Sequence, residues 1–190
     1  MRQFLFAFLF LTNVCLAQTY EETVAKCIKD IQNGSPIGQQ LTQCLTGLKF
    51  PSFTATTIEG KHYTLMDLKG KIVLINLWFI GCPPCIAEIP ILNELATEYG
   101  EDFVILSFGL DDKKSISTFL ERRPMNFPVF SDSKELIKNT FRMNLGYPTN
   151  VLLNKEGQIV EFKLGASNNE AGLKSMKDDI KKIVEAELIK

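Results

Sequence analysis

The stretch IVLINLWFIGCPPCIAEIP, residues 72–90, joins a nearly continuous apolar run to two cysteines one helical turn apart, with two prolines between them. An apolar run of this length suits a strand buried on both faces. A helix is expected to follow from Pro83 to about Tyr99, because proline is well tolerated at the first helical position. Cys82 then sits where strand gives way to helix, facing free backbone amides and the positive end of the helix dipole. The spacing alone leaves three readings of Cys82 and Cys85 open: a redox couple, half of a metal site, or a structural bridge.

Outward from this stretch, strands alternate with helices. Residues 52–57 and 61–65 read as two short strands joined at Glu59-Gly60-Lys61, and FVILSFGL (103–110) as a second fully buried strand. DDKKSISTFLERR (111–123) carries an Asp cap and helical periodicity, FPVFSD (127–132) a brief strand, and SKELIKNTFRM (133–143) another helix. YPTNVLLN (147–154) and QIVEFKLG (158–165) predict a hairpin in which Gly157 suits a positive φ. A final helix from about Asn169 to Leu188 repeats Leu173, Met176, Ile180, Ile183 and Val184 on one face. The expected fold class is α/β, a central mixed sheet flanked by helices. A chain of 190 residues, 45% apolar, can bury one such core.

Residues 1–17, MRQFLFAFLFLTNVCLA, have one positive charge at Arg2, an apolar stretch from Phe4 to Leu11 and small residues at Cys15 and Ala17, the pattern of a cleavable export signal. The stretch is shorter than the roughly 20 apolar residues a spanning helix needs. Lipid attachment at Cys15 is disfavoured by Val14. Export, most simply to the periplasm, places the other thiols where structural disulfides persist. Residues 18–49 read as a helical hairpin: Val24, Cys27, Ile28 and Ile31 recur on one seam, Asn33-Gly34-Ser35-Pro36 interrupts, and Ile37, Leu41, Cys44, Leu45 and Leu48 form a second seam. Cys27 and Cys44 lie on these seams and are either a structural disulfide, worth roughly 3 kcal/mol in the chain-entropy model, or two free buried thiols. Residues 50–190 make up the α/β domain.

A net charge of -1 and a pI near 5.9, with lysines spread along the chain, argue against nucleic acid as a partner. A zinc site normally takes four ligands, yet His62 is the single histidine and the other cysteines fall in a segment that looks already paired, so no metal is expected. A redox role fits the helix-terminal position of Cys82, which lowers a thiol's pKa, with Cys85 as the less exposed partner that resolves a mixed disulfide. Pro83 and Pro84 remove two amide donors that would otherwise stabilise the Cys82 thiolate. The expected pKa depression is therefore modest, and the couple should favour giving electrons away.

The motif NLWFIGCPPCIAEIP, the strand before it and GYPTNVLLN together resemble the thioredoxin-like TlpA/ResA type of extracytoplasmic thiol-disulfide oxidoreductase. The resemblance runs from about Phe50 to the C-terminus and does not explain residues 18–49. It implies a thioredoxin-like fold, a disulfide-containing protein substrate, no bound cofactor, and recharging by a membrane electron donor. Trp78 matches the family's aromatic position beside the active site, Pro90 its helix-kinking proline, and Tyr147-Pro148 its cis-proline; a cis bond there would turn the Tyr147 backbone toward an extended substrate strand. Tyr147 departs from the smaller residue often found at that place. Trp78, Pro83, Tyr147 and Pro148 are thus the expected substrate-binding set. Thioredoxins proper bury an aspartate six residues before the first cysteine, where this chain has Asn76. Glu88, three residues after Cys85, is the candidate base, with partial burial raising its pKa, or else a solvated helix-surface glutamate.

Two other functions are weighed. A peroxiredoxin-type peroxidase needs Pro-x-x-x-Thr/Ser-x-x-Cys, but Ile75 and Phe79 hold those places before Cys82, and Trp78 and Cys82 hold them before Cys85. A redox-silent interaction module could use the same scaffold with the helical extension as docking surface. Neither oligomeric state nor substrate identity has a sequence signal.

Overall fold

Seven consecutive buried positions, Ile72 to Trp78, form the strand on which the rest of the molecule is laid. The computed structural model describes residues 19–32, 37–165 and 167–190. It begins with helices α1 (Tyr20–Gln32) and α2 (Ile37–Leu45), followed by a hairpin of β1 (Thr54–Thr56) and β2 (His62–Thr64). Then come β3 (Ile72–Trp78), α3 (Pro83–Tyr99), β4 (Phe103–Gly109), α4 (Lys113–Leu120), β5 (Val129–Phe130), β6 (Thr149–Leu153), β7 (Ile159–Leu164) and α5 (Glu170–Leu188). The expected export signal and the turn at residues 33–36 lie outside the described residues. Among those described, no helix is long and apolar enough to cross a membrane.

The sheet runs in the order β5-β4-β3-β6-β7, with β3 parallel to β4, β4 parallel to β5, and both β6 and β7 joined antiparallel. This is the expected mixed sheet. Period-two alternation sends Val73, Ile75 and Leu77 to one face, where they meet Phe53, Phe108, Phe141 and Phe162 together with Val24, Cys27, Leu41 and Leu45 of the N-terminal hairpin. Ile72 and Leu74 face the other way, against Leu92 and Leu95 of α3 and Met176, Ile180 and Val184 of α5. Helices therefore cover both faces. Burying one such side chain is worth about 1.5–3 kcal/mol, so these two layers hold the sheet.

Both lateral edges of the sheet are occupied. Gly47 N–H donates to Ile159 C=O at 2.8 Å and Ile159 N–H to Leu48 C=O at 2.9 Å, so the chain leaving α2 covers β7. Ile58 N–H donates to Val129 C=O at 2.9 Å, which ties the β1–β2 turn to β5. The two short strands accordingly make a separate two-stranded sheet. Gly157 has φ 73°, as its place in the β6–β7 turn requires.

Two helices differ from the sequence expectation. The helix expected through Arg123 ends at Leu120, where the N–H groups of Arg122 and Arg123 both turn back to Phe119 C=O at 3.1 Å. Pro124 follows, and a proline disfavours helical backbone in the residue before it. The segment expected as a helix over 133–143 is π-wound from Leu136 to Phe141 and closes at Arg142, φ 56°, whose N–H reaches Ile137 C=O five residues back. Ile137 and Phe141 are both fully buried in this wider winding.

Candidate active site

Cys82 and Cys85 form a disulfide where β3 passes into α3. Cys82 is the N-cap of α3, in extended backbone, and its Sγ accepts from Cys85 N–H at 3.3 Å. Pro83 and Pro84 occupy the first two helical positions and have no N–H to give. Pro90 sits inside α3 without interrupting it. Cys82 is 3% exposed and Cys85 2%, so the expected contrast between an open and a sheltered sulfur is not present in the disulfide form. The cause is the surrounding apolar shell of Trp78, Ile116 and Val129, with Phe79, Phe119 and Tyr147 packed against it.

The expected substrate-binding residues divide by depth. Trp78 is 1% exposed and packs on Phe119 with ring centroids 5.4 Å apart. It lies beneath the pair and has no surface to offer a substrate, which corrects the expectation of direct contact. A Cβ at Gly109 would come within 2.6 Å of Ile116 Cδ1, so glycine there lets α4 close over this ring. Pro83 is exposed and Tyr147 half-buried, while Pro148 is buried after a cis Tyr147–Pro148 bond. Tyr147 meets Phe79 edge to face at 5.5 Å and stands outside the ladder, since β6 starts two residues later at Thr149.

Glu88 is 0% exposed, which corrects both the expectation of partial burial and the solvated-surface reading. Helical geometry turns it, one turn after Cys85, toward the sheet rather than toward water. Its carboxylate accepts from Asn76 Nδ2 at 2.8 Å and from Asn150 Nδ2 at 3.1 and 3.3 Å. Asn76 Nδ2 also donates to Asn150 Oδ1 at 2.9 Å, and Ser107 Oγ donates to Asn76 Oδ1 at 2.8 Å. Burial pushes the Glu88 carboxyl up to about 8 against the opposing pull of the amide donors of Asn150 and Asn76. A carboxyl poised there exchanges protons near neutral pH. Sequence reasoning placed Asn76 only as a replaced aspartate and missed Asn150 and Ser107.

The other cysteines and the histidine lie elsewhere. Cys27 of α1 and Cys44 of α2 form a second disulfide, Cα–Cα 6.0 Å, under the N-terminal hairpin. His62 is on the exposed β1–β2 hairpin, its Nδ1 2.9 Å from Thr56 Oγ1. Among the described residues no group of three or more His, Cys, Asp and Glu is placed to hold a metal ion. The arrangement at α3 is a Cys82–Cys85 disulfide with the buried carboxyl of Glu88 three residues further along the helix.

Comparison with known proteins agrees with this chemistry. The sequence family described as AhpC/TSA matches residues 46–162. The thiol-disulfide oxidoreductase ResA of Bacillus cereus is 36% identical over 126 residues, covering 65% of this chain and 72% of the relative. ResA of Geobacillus kaustophilus is 32% identical over 133 residues, covering 68% and 75%. The crystal structure of the thioredoxin domain of a Bacteroides vulgatus thiol-disulfide oxidoreductase superposes with a TM-score of 0.61 at 25% identity, over 73% of this chain and 97% of that one.

Proposed function

We propose that this chain, which belongs to the AhpC/TSA family and is a thiol-disulfide oxidoreductase, works as an exported reductase of protein disulfides. The observation that carries the reading is the Glu88 carboxyl sealed one helical turn behind the Cys82–Cys85 pair. A resolving thiol must lose its proton before it attacks, and a buried carboxyl one helical turn along from Cys85 supports Glu88 as the group that takes it.

In the cycle the Cys82 thiolate attacks one sulfur of a substrate disulfide. A Cys82–substrate bond forms, the substrate S–S bond breaks, and the departing thiolate takes a proton from water. Cys85 then gives its proton to Glu88 and attacks Cys82 Sγ, which breaks the mixed disulfide and releases the second substrate thiolate; Glu88 passes its proton on to water, from which that thiolate is protonated. The substrate gains two electrons and two protons, and the protein ends as the Cys82–Cys85 disulfide. An external dithiol restores it; the family resemblance points to a membrane electron donor for that step.

Several features support the direction and the substrate class. Without N–H groups at Pro83 and Pro84 the Cys82 thiolate has one nearby helix amide fewer than a general sequence would supply at each position, which weakens the driving force for staying reduced. A groove of about 630 Å3 is bordered by Ile80, Phe119 and Arg123, and Ile80 and Phe119 pack against the cluster that holds the pair, which supports a polypeptide substrate reaching it from this side. Tyr147, outside the ladder, leaves backbone for an extended segment to pair with. The export signal read over residues 1–17 supports a location outside the cytoplasm.

The peroxidase alternative finds no support at the position its pocket would require. Ile75, where that chemistry needs proline, is a fully buried member of β3, and Phe79, where it needs a hydroxyl, packs on Tyr147. The deciding experiment is reduction of insulin by the dithiothreitol-reduced protein with Cys82→Ser as control, together with equilibration against glutathione. Turnover that disappears in the variant, with the couple more reducing than glutathione, is expected. A strongly oxidising couple overturns the reductase reading.

A further inference from the structure

The three central strands carry one polar residue each in otherwise apolar runs: Asn76 in IVLINLW, Ser107 in FVILSFG and Asn150 in TNVLL, where Thr149 alone accompanies it at the strand's start. These residues share one register. Asn76 is the direct partner of Ser107 across β3–β4 and of Asn150 across β3–β6. Their exposures are 2%, 0% and 5%, so a polar rung crosses the middle of a buried sheet. Polar groups so placed cost stability unless each is bonded.

Every one is bonded, and the polarity runs one way. Ser107 donates to the oxygen of Asn76; the amide of Asn76 spends its two hydrogens on Asn150 Oδ1 and Glu88; the amide of Asn150 gives only to the two carboxylate oxygens of Glu88. Turning the Asn76 amide over would set its N–H2 against the Ser107 hydroxyl and its oxygen against Asn150 Oδ1. The rung therefore presents donors alone to the carboxyl. The side chains bonded to Glu88 are these neutral groups, no charged side chain contributes to its titration, and along its own helix Cys85 lies three residues before it and Cys82 six.

Resting on the reading of Glu88 as proton acceptor, we infer that Asn150 and Asn76, braced by Ser107, are positioning residues that hold the Glu88 carboxylate in a single orientation as the acceptor for the Cys85 proton. Burial alone would leave the carboxyl protonated and idle at neutral pH. The donors counter burial, and the group takes and returns a proton within the working range. Asn150 also lies two residues beyond Pro148, so the strand that begins beside the substrate-docking backbone carries the residue that steadies the base.

The test is stopped-flow reaction of the reduced protein with 5,5′-dithiobis(2-nitrobenzoate), which releases one chromophore when Cys82 forms the mixed disulfide and a second when Cys85 resolves it. Asn150→Leu is expected to leave the first phase unchanged and to move the pH midpoint of the second upward by about one unit, roughly a tenfold loss of rate at pH 7. Ser107→Ala, a smaller cut, should shift it the same way by less, and serves if the leucine variant does not fold. In a Glu88→Gln background neither substitution should slow the second phase further. An unshifted midpoint in both variants, or a full additive slowing in the Glu88→Gln background, overturns the inference. Should Glu88→Gln itself keep the wild-type pH dependence, the assignment of Glu88 as base fails, and the rung's role falls with it.

Discussion

The backbone N–H of Cys85 is the first amide of α3 able to reach Cys82 Sγ, and it does so at 3.3 Å. Two prolines precede it, so the N-cap sulfur has one donor where an ordinary helix start would add another at the second position. A hydrogen bond to a charged group contributes roughly 1.5–3 kcal/mol. Pro84→Ala restores that second N–H. The expected result is a Cys82 thiolate favoured by about one pKa unit or more, read as the pH dependence of iodoacetamide alkylation, and a more oxidising couple whose equilibrium with glutathione moves toward the dithiol. An unchanged alkylation profile would show that the missing donor is not what sets the thiol.

Burial of Glu88 also leaves a signature in folding. Its carboxyl ionises at about 8 in the folded protein against an ordinary value of 4.5. Between those values the folded state holds a proton that the unfolded chain has released, so stability falls as pH rises through the window and levels off above it. The slope is at most about 1.4 kcal/mol per pH unit, a loss of several kcal/mol in all. Urea unfolding of the oxidised protein at pH 5, 6, 7 and 8 should show this decline in the wild type and a much flatter line in Glu88→Gln. Parallel lines would mean that the carboxyl is not held protonated by burial.

The outline of this fold was readable because burial writes itself into short-range pattern. β3 is apolar at six of its seven residues and buried at all seven, and the cysteine pair follows it at a strand-to-helix junction that proline marks. The polar rung was harder to see. Asn76, Ser107 and Asn150 are 31 and 43 residues apart along the chain, and register between strands brings them together. Each was nonetheless an isolated polar residue in a buried strand, and that recurrence was the available signal. The π-wound turn at Leu136–Phe141 had none, since Ile137 and Phe141 stand at a spacing that an ordinary helix satisfies equally well.

The second disulfide joins α1 to α2. Cys27 and Cys44 are 17 residues apart, and closing such a loop is worth about 3 kcal/mol in the chain-entropy model. Their hairpin places Val24, Leu41 and Leu45 against the sheet face away from Glu88. Cys27→Ala/Cys44→Ala is expected to lose about that much stability in urea while the equilibrium of the Cys82–Cys85 couple with glutathione stays as in the wild type. A shifted equilibrium would make the pair a redox partner of the active couple instead of a structural clamp.

Tyr147 should separate recognition from chemistry. Its half-buried ring packs edge-on against Phe79 at 5.5 Å and against the cluster that holds the pair. A ring contact of this kind made with a docked substrate strand is worth about 1 kcal/mol, or roughly fivefold in an equilibrium constant. Tyr147→Ala removes that wall and uncovers Phe79, so KM for a protein disulfide should rise about fivefold with kcat little changed. A small disulfide, which uses only the sulfur chemistry, should react at the wild-type rate. Tyr147→Phe keeps the ring and should restore the KM. If the alanine variant instead slows small and large disulfides alike, the ring acts by holding the Cys82 region in place, and substrate contact is not its role.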